Sequence, residues 1–237
     1  MKEKENKKNK GILFWIILFW CAVIIPMGLF TLLIYGTAHE WFGELPSFEE
    51  LENPKSNLAS EVYTSDGKVL GKYFYQNRTN VNYDELSEFL PSALIATEDE
   101  RYNDHSGIDF RSLGRVFLGL VTGQTGSTGG GSTVSQQLAK NLFPRKDLTK
   151  FQLVMRKFKE WVIAVRLERQ YTKEEIIAMY FNTFDFVNNA VGIKSAATVY
   201  FNKTPQELNI NESATLVGML KNPALFNPLR FYDTTLH

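Results

Sequence analysis

Residues 12–35 (ILFWIILFWCAVIIPMGLFTLLIY) hold no charged side chain, and this run constrains the chain more than any other feature. In hydrocarbon every backbone N–H and C=O must find its partner inside the segment, so a single span has to be a helix. At ~1.5 Å per residue it is roughly 36 Å long and crosses a bilayer with some tilt. A cleaved signal peptide is the competing reading, but its apolar core covers only about 7–15 residues. Pro26 bends such a span without breaking it. Cys21 lies inside it, where a thiol acts as a small apolar side chain.

Lys2, Lys4, Lys7, Lys8 and Lys10 precede the run, whereas the next lysine or arginine after it is Lys55, behind Glu40, Glu44, Glu49, Glu50 and Glu52. Basic flanks stay cytoplasmic. Residues 1–11 therefore read as a cytoplasmic tail, 12–35 as the anchor and 36–58 as an extracytoplasmic linker. Residues 59–237 read as one domain on the outer, periplasmic face of the cytoplasmic membrane. That placement excludes substrates confined to the cytosol and admits a lipid-linked substrate on the outer leaflet. The 26 Lys and Arg balance 26 Asp and Glu, which leaves no electrostatic case for nucleic acid. Three scattered histidines and one cysteine exclude a Cys/His metal cluster and a disulfide framework.

EVYTSDGKVLGKYF (61–74) alternates apolar and polar residues around Asp66-Gly67, which predicts a β-hairpin. From residue 83 the pattern is helical, with Pro91 suited to a first turn and Ala93, Leu94 and Ile95 leading to Glu98. Residues 110–121 are amphipathic, and 122–132 (TGQTGSTGGGS) lose all apolar character, which predicts a mobile loop. Helices are expected at 133–142, 151–170, 173–182, 189–200 and 211–221. Thr172 with Glu175 makes a capping box for the third, and Asn222-Pro223 ends the last. The fold class is mostly α, with one small hairpin, one membrane helix and no internal repeat.

Four blocks carry the chemistry. In ATEDERYNDHSGID (96–109), Glu98 ends an apolar helical run at the edge of a core, where partial desolvation suits a carboxylate to proton transfer. A solvated helix-end carboxylate is the plainer alternative. In GGGSTVSQQLAKN (129–141), glycines let the backbone approach a ligand, and a helix start favours negative charge. Lys140 adds a full positive charge, and Gln136 and Gln137 can bridge sugar hydroxyls or phosphate oxygens. The pattern is not a P-loop, because no Lys-Ser/Thr pair follows the glycines. In RKFKEWVIAVRLE (156–168), Arg156, Lys157 and Glu160 fall within one helical turn. Alone they would be an ordinary surface pair worth a few tenths of a kcal/mol. In TKEEIIAMYFN (172–182), Ile176, Ile177, Met179 and Tyr180 fall at helical spacing and read as core.

In this order the blocks resemble the motifs of the peptidoglycan glycosyltransferases, the polymerase domain of class A penicillin-binding proteins and their monofunctional relatives. Glu98, Asp99, Tyr102, His105 and Gly107 reproduce E-D-x-x-aromatic-x-x-H-x-G, and residues 130–141 match GGSTxxQQLxKN throughout. Arg156, Lys157 and Glu160 match R-K-x-x-E, and Tyr180 and Asn182 match the fourth block. The resemblance covers roughly residues 57–230 and implies a lysozyme-like helical domain in two lobes with a cleft between them. It makes Glu98 the catalytic base and Glu160 the second acidic residue. Its substrate-binding residues are Asp99, His105, Gly131, Ser132, Thr133, Gln136, Gln137, Lys140, Asn141, Arg156 and Lys157, with His105 expected chiefly to shape the Glu98 loop.

The resemblance further implies lipid II, a disaccharide-pentapeptide on undecaprenyl pyrophosphate, and a growing lipid-linked glycan as substrates joined with inversion. It leaves room for a divalent cation, Mg or Mn, and needs no organic cofactor and no metal site of its own. The implied partners are the cytoplasmic membrane and other cell-wall synthesis proteins. Val187 and Asn202 stand where the family usually has glycines, a departure that touches turn geometry. Phe181, Phe184, Phe186 and Val187 allow either a lipid-facing patch or buried packing. Ser65-Asp66-Gly67-Lys68 imitates the Ser-x-x-Lys of penicillin-reactive transpeptidases, but it falls in the expected turn and lacks Ser-x-Asn and Lys-Thr-Gly partners. No transpeptidase domain is expected before His237. A membrane-anchored lytic muramidase and a non-catalytic envelope scaffold are the rival readings.

Overall fold

The computed structural model describes residues 2–45, 60–64, 66, 69–73, 80–123, 130–142, 149–223 and 225–230. Among them are eight α-helices: α1 (Lys2–Ala38), α2 (Phe89–Glu98), α3 (Phe110–Thr122), α4 (Val134–Leu142), α5 (Lys150–Gln170), α6 (Lys173–Thr183), α7 (Ile193–Phe201) and α8 (Ile210–Lys221). Strands β1 (Ser60–Tyr63) and β2 (Val69–Tyr73) pair antiparallel, with Ser60 opposite Tyr73. Ser65, Gly67 and Lys68 of the expected turn lie outside the described residues, as do 124–129 of the expected mobile loop. The chain divides into two compact units, Met1–Leu45 with Leu148–Val162, and Pro46–Asp147 with Ile163–His237.

In the first unit, α1 carries 26 apolar-rich residues, Leu13–Ala38, at a mean hydropathy of 2.5. Among the described residues it is the one helix long and apolar enough to cross a membrane, and it continues past the expected end at 35. Trp15, Phe19, Ile24 and Leu29 are exposed on it. A helix apolar on every side suits lipid and not water. Phe30 packs edge-on against Phe158 and Trp161 of α5, with ring centroids 5.7 and 6.0 Å away. The chain folds back after Ala38, and the Trp41 N–H bonds Gly36 O at 2.9 Å. A Cβ on Gly36 would lie 2.8 Å from the Trp41 ring, so this turn needs glycine.

In the second unit, α2 packs against α8 and α4 against α6. Leu90, Leu94, Leu138, Ile176, Phe181 and Leu216 are fully buried between them. The capping box expected at the start of α6 is present, with Thr172 accepting from Glu175 N–H and Glu175 returning the bond. Asn182 binds the Val81 backbone twice, accepting from its N–H at 3.1 Å and donating to its carbonyl at 2.9 Å.

The helix expected from 189 begins instead at Ile193. Val187, Asn188 and Asn189 all take left-handed conformations, with φ of 58°, 50° and 60°. The Asp185 side chain accepts from Val187 N–H at 2.9 Å, and this local bond competes with helix. Phe181 and Phe186 are fully buried, which makes them core and not a lipid-facing patch. Asn202, in place of a glycine, is the left-handed cap of α7 with φ 52°, a conformation that Asn tolerates.

Candidate active site

Glu98 is the last residue of α2 and Asp99 caps it. Asp99 is buried, and its carboxylate accepts from His105 Nε2 at 3.0 Å and from Val134 N–H at 3.0 Å. One carboxylate thus ties the loop after Glu98 to the first turn of α4. Thr133 doubles the tie: its hydroxyl accepts from Gln136 N–H at 3.2 Å and donates to Gly107 O at 2.7 Å. Gln136 Nε2 reaches the same carbonyl at 3.2 Å. Asp99, His105, Thr133 and Gln136 therefore make internal bonds, and the α4 start already holds a protein carboxylate. The residues at 131–133 precede the helix, which begins at Val134.

Glu98 lines a notch of about 60 Å³ together with Asp99, Glu100, Arg101, Asp109, Ser112, Arg115, Gly130, Gly131, Ser132 and Thr133. That volume admits a few waters or one compact polar group. The lining sets four carboxylates against two guanidiniums, so it favours a neutral hydroxyl over a diphosphate. Arg101 donates to Asp109 at 3.0 Å. Asp109 caps α3 by accepting from the Arg111 and Ser112 N–H groups. Burial alone would raise the Asp109 carboxyl, but the bonds from Ser112 and Arg111 and the Arg101 charge together hold it below the ordinary carboxylate range.

Gln137, on α4, donates from Nε2 to Glu98 Oε2 at 2.8 Å. Its Oε1 accepts from the Tyr180 hydroxyl of α6 at 3.0 Å. Lys140 and Asn141 are exposed and do not line the notch. Lys140 follows Gln137 by three residues, so both leave α4 on one face. The structure thus gathers Glu98, Gly131, Ser132, Thr133 and Gln137 in one place.

Arg156, Lys157 and Glu160 belong to the first unit, where Glu160 is buried and pairs with Lys157 Nζ at 2.9 Å and Arg156 Nε at 3.5 Å. Two cations already occupy the Glu160 carboxylate, and among the described residues no group of three or more His, Cys, Asp or Glu side chains is arranged to hold a metal ion. The Arg156, Lys157 and Glu160 set, with its carboxylate paired twice, does not fit a divalent cation of its own.

Arg115 and Ser112 line the notch from outside the four motifs, and Tyr180, expected in the core, also bonds Gln137 through its hydroxyl. Asp109-x-x-Ser112 at a helix start was a legible signal for a capped helix. No local signal marks a hydroxyl that reaches across to another helix.

Residues 66–237 match the family described as Transglycosylase. The chain is 34% identical over 225 residues to Penicillin-binding protein 1A of Escherichia coli (strain K12), covering 94% of this chain and 25% of that protein. It is 37% identical over 188 residues to Penicillin-binding protein 1A of Neisseria flavescens, covering 79% and 23%. It is 36% identical over 216 residues to Penicillin-binding protein 2a of Streptococcus pneumoniae (strain ATCC BAA-255 / R6), covering 91% and 28%. The chain spans about a quarter of the length of these curated relatives.

Proposed function

Because the chain belongs to the transglycosylase family, we propose that it polymerises lipid II into peptidoglycan glycan strands at the outer face of the cytoplasmic membrane. The observation that carries this reading is the placement of Glu98 in one notch with Gly131, Ser132 and Thr133, its Oε2 held by Gln137. Gln137 engages Oε2, which leaves Oε1 to take a proton. In the proposed step Glu98 accepts the proton of the 4-hydroxyl on the incoming lipid II. That oxygen attacks the anomeric carbon of the growing strand, and the bond to the undecaprenyl diphosphate breaks with inversion.

The diphosphate leaves as an anion and needs no general acid. Lys140 lies one turn along α4 from Gln137, and it stabilises the charge that develops on the departing group. On the resemblance alone, Arg156 and Lys157 are proposed as further diphosphate ligands and Glu160 as the group that orients them. Any divalent cation would arrive with the diphosphate, as magnesium commonly does with substrate phosphates.

Glu98→Gln tests the base. It should lower lipid II polymerisation by at least ~10²-fold with an unchanged melting temperature. Substantial remaining turnover sinks the assignment. The same protein incubated with purified sacculi should release no muropeptides; their release would favour the muramidase instead.

A further inference from the structure

The hydrogen bond that holds Glu98 continues into the core. Glu98, Gln137 and Tyr180 come one each from α2, α4 and α6, and the bonds between them measure 2.8 and 3.0 Å. Tyr180 is 1% exposed, and its ring packs against Phe181 and Phe184 with centroids 6.2 and 6.3 Å away. Its hydroxyl is therefore fixed in place. Burial first, and then the Glu98 charge, push that hydroxyl well above its ordinary range, so it remains a donor at every working pH.

A side-chain amide has two unlike ends, and the one facing Glu98 matters chemically. An ionised carboxylate only accepts, so it requires the amide nitrogen; a protonated one offers a donor and suits the amide oxygen. Tyr180 settles the choice by donating to Gln137 Oε1, which turns Nε2 toward Glu98. Turning the amide over would make the Tyr180 oxygen accept from the NH2 group and leave its own buried proton without a partner.

We propose that Tyr180 and Gln137 are positioning residues, a relay that fixes the Glu98 carboxylate in one orientation with an N–H aimed at Oε2, so that Gln137 serves the base and not the sugar. This rests on the assignment of Glu98 as base. The other charged groups around Glu98 are Asp99 and Glu100 in its own loop, Arg101, Asp109 and Arg115 across the notch, and Lys140 one turn along α4. None of them bonds the Gln137 amide among the described residues, so removing one hydroxyl isolates the relay.

The test is the pH profile of lipid II polymerisation for the full chain, with Tyr180→Phe, Gln137→Met and the double variant beside Glu98→Gln. Tyr180→Phe should lower kcat about tenfold, the worth of one hydrogen bond, and leave KM within about twofold. Its acidic limb should move up, because an N–H donor to a carboxylate favours the charged form. Gln137→Met should move the limb the same way, and adding Tyr180→Phe to it should change the rate by less than about twofold, because both act through one bond chain. A wild-type acidic limb in Tyr180→Phe, or independent losses that multiply in the double variant, overturns the relay. Should Tyr180→Phe fail to fold, a wild-type limb in Gln137→Met overturns it equally. An active Glu98→Gln sinks the base itself, whereas an unshifted Tyr180→Phe beside an inactive Glu98→Gln sinks only the relay.

Discussion

Gly107 shows how one residue holds the site together. Its φ is +90°, and a Cβ there would lie 2.8 Å from the Ala164 carbonyl carbon and oxygen. Its own carbonyl accepts from Thr133 and Gln136. Backbone strain of ~1–3 kcal/mol adds to a backbone collision that no side chain can relieve. Gly107→Ala should therefore cost roughly 2–4 kcal/mol in chemical denaturation. Gly114 is the control: a Cβ there meets nothing within 4 Å. Gly114→Ala, inside α3, should stabilise by ~0.5–1 kcal/mol. Both glycines are visible in the sequence, but only the approach of α5 to residue 107 distinguishes them.

Among elements, the start of α3 carries the clearest pH signature. Asp109 is buried, caps the helix and pairs with Arg101, so its folded carboxyl titrates below the unfolded value of about 3.9. A depressed acid contributes stability that is fully present above the unfolded pKa and is lost as pH falls through the folded one. Acid unfolding should show this loss below about pH 4. Glu207 and Glu212 are also lowered and add to the same window. Asp109→Asn keeps a capping oxygen without the charge, so its melting temperature should fall less steeply than wild type there. An equal slope would refute the role of the charge. The α6 capping box was legible because its partners are three residues apart. The late start of α7 was not, because Gly192 at its head takes φ +79° where a Cβ would lie 2.9 Å from Asn182 O, a close approach set by α6.

For the whole molecule, α1 carries the testable expectation of topology. An apolar helix with five lysines before it and acidic residues after it predicts a chain with its N-terminus inside. Protease added to intact spheroplasts should therefore degrade an epitope placed in the 80–230 region and spare one at the N-terminus. The reverse pattern would invert the topology and remove access to an outer-leaflet substrate. Phe117, Leu118, Leu120 and Val121 of α3 are more than 60% exposed. An exposed face this apolar marks an interaction surface.

The sequence alone determined the long apolar helix, the mostly α character and the family of the chain, because each rests on local pattern: an uncharged run, a 3.6-residue period, motifs of fixed spacing. Only the tertiary structure decided how those residues are used. It turned Asp99, His105, Thr133 and Gln136 inward as a clamp and joined Gln137 to Tyr180. The reason is physical: a buried polar group must bond whatever the packing of distant helices brings within about 3 Å, and that proximity is not written in neighbouring residues.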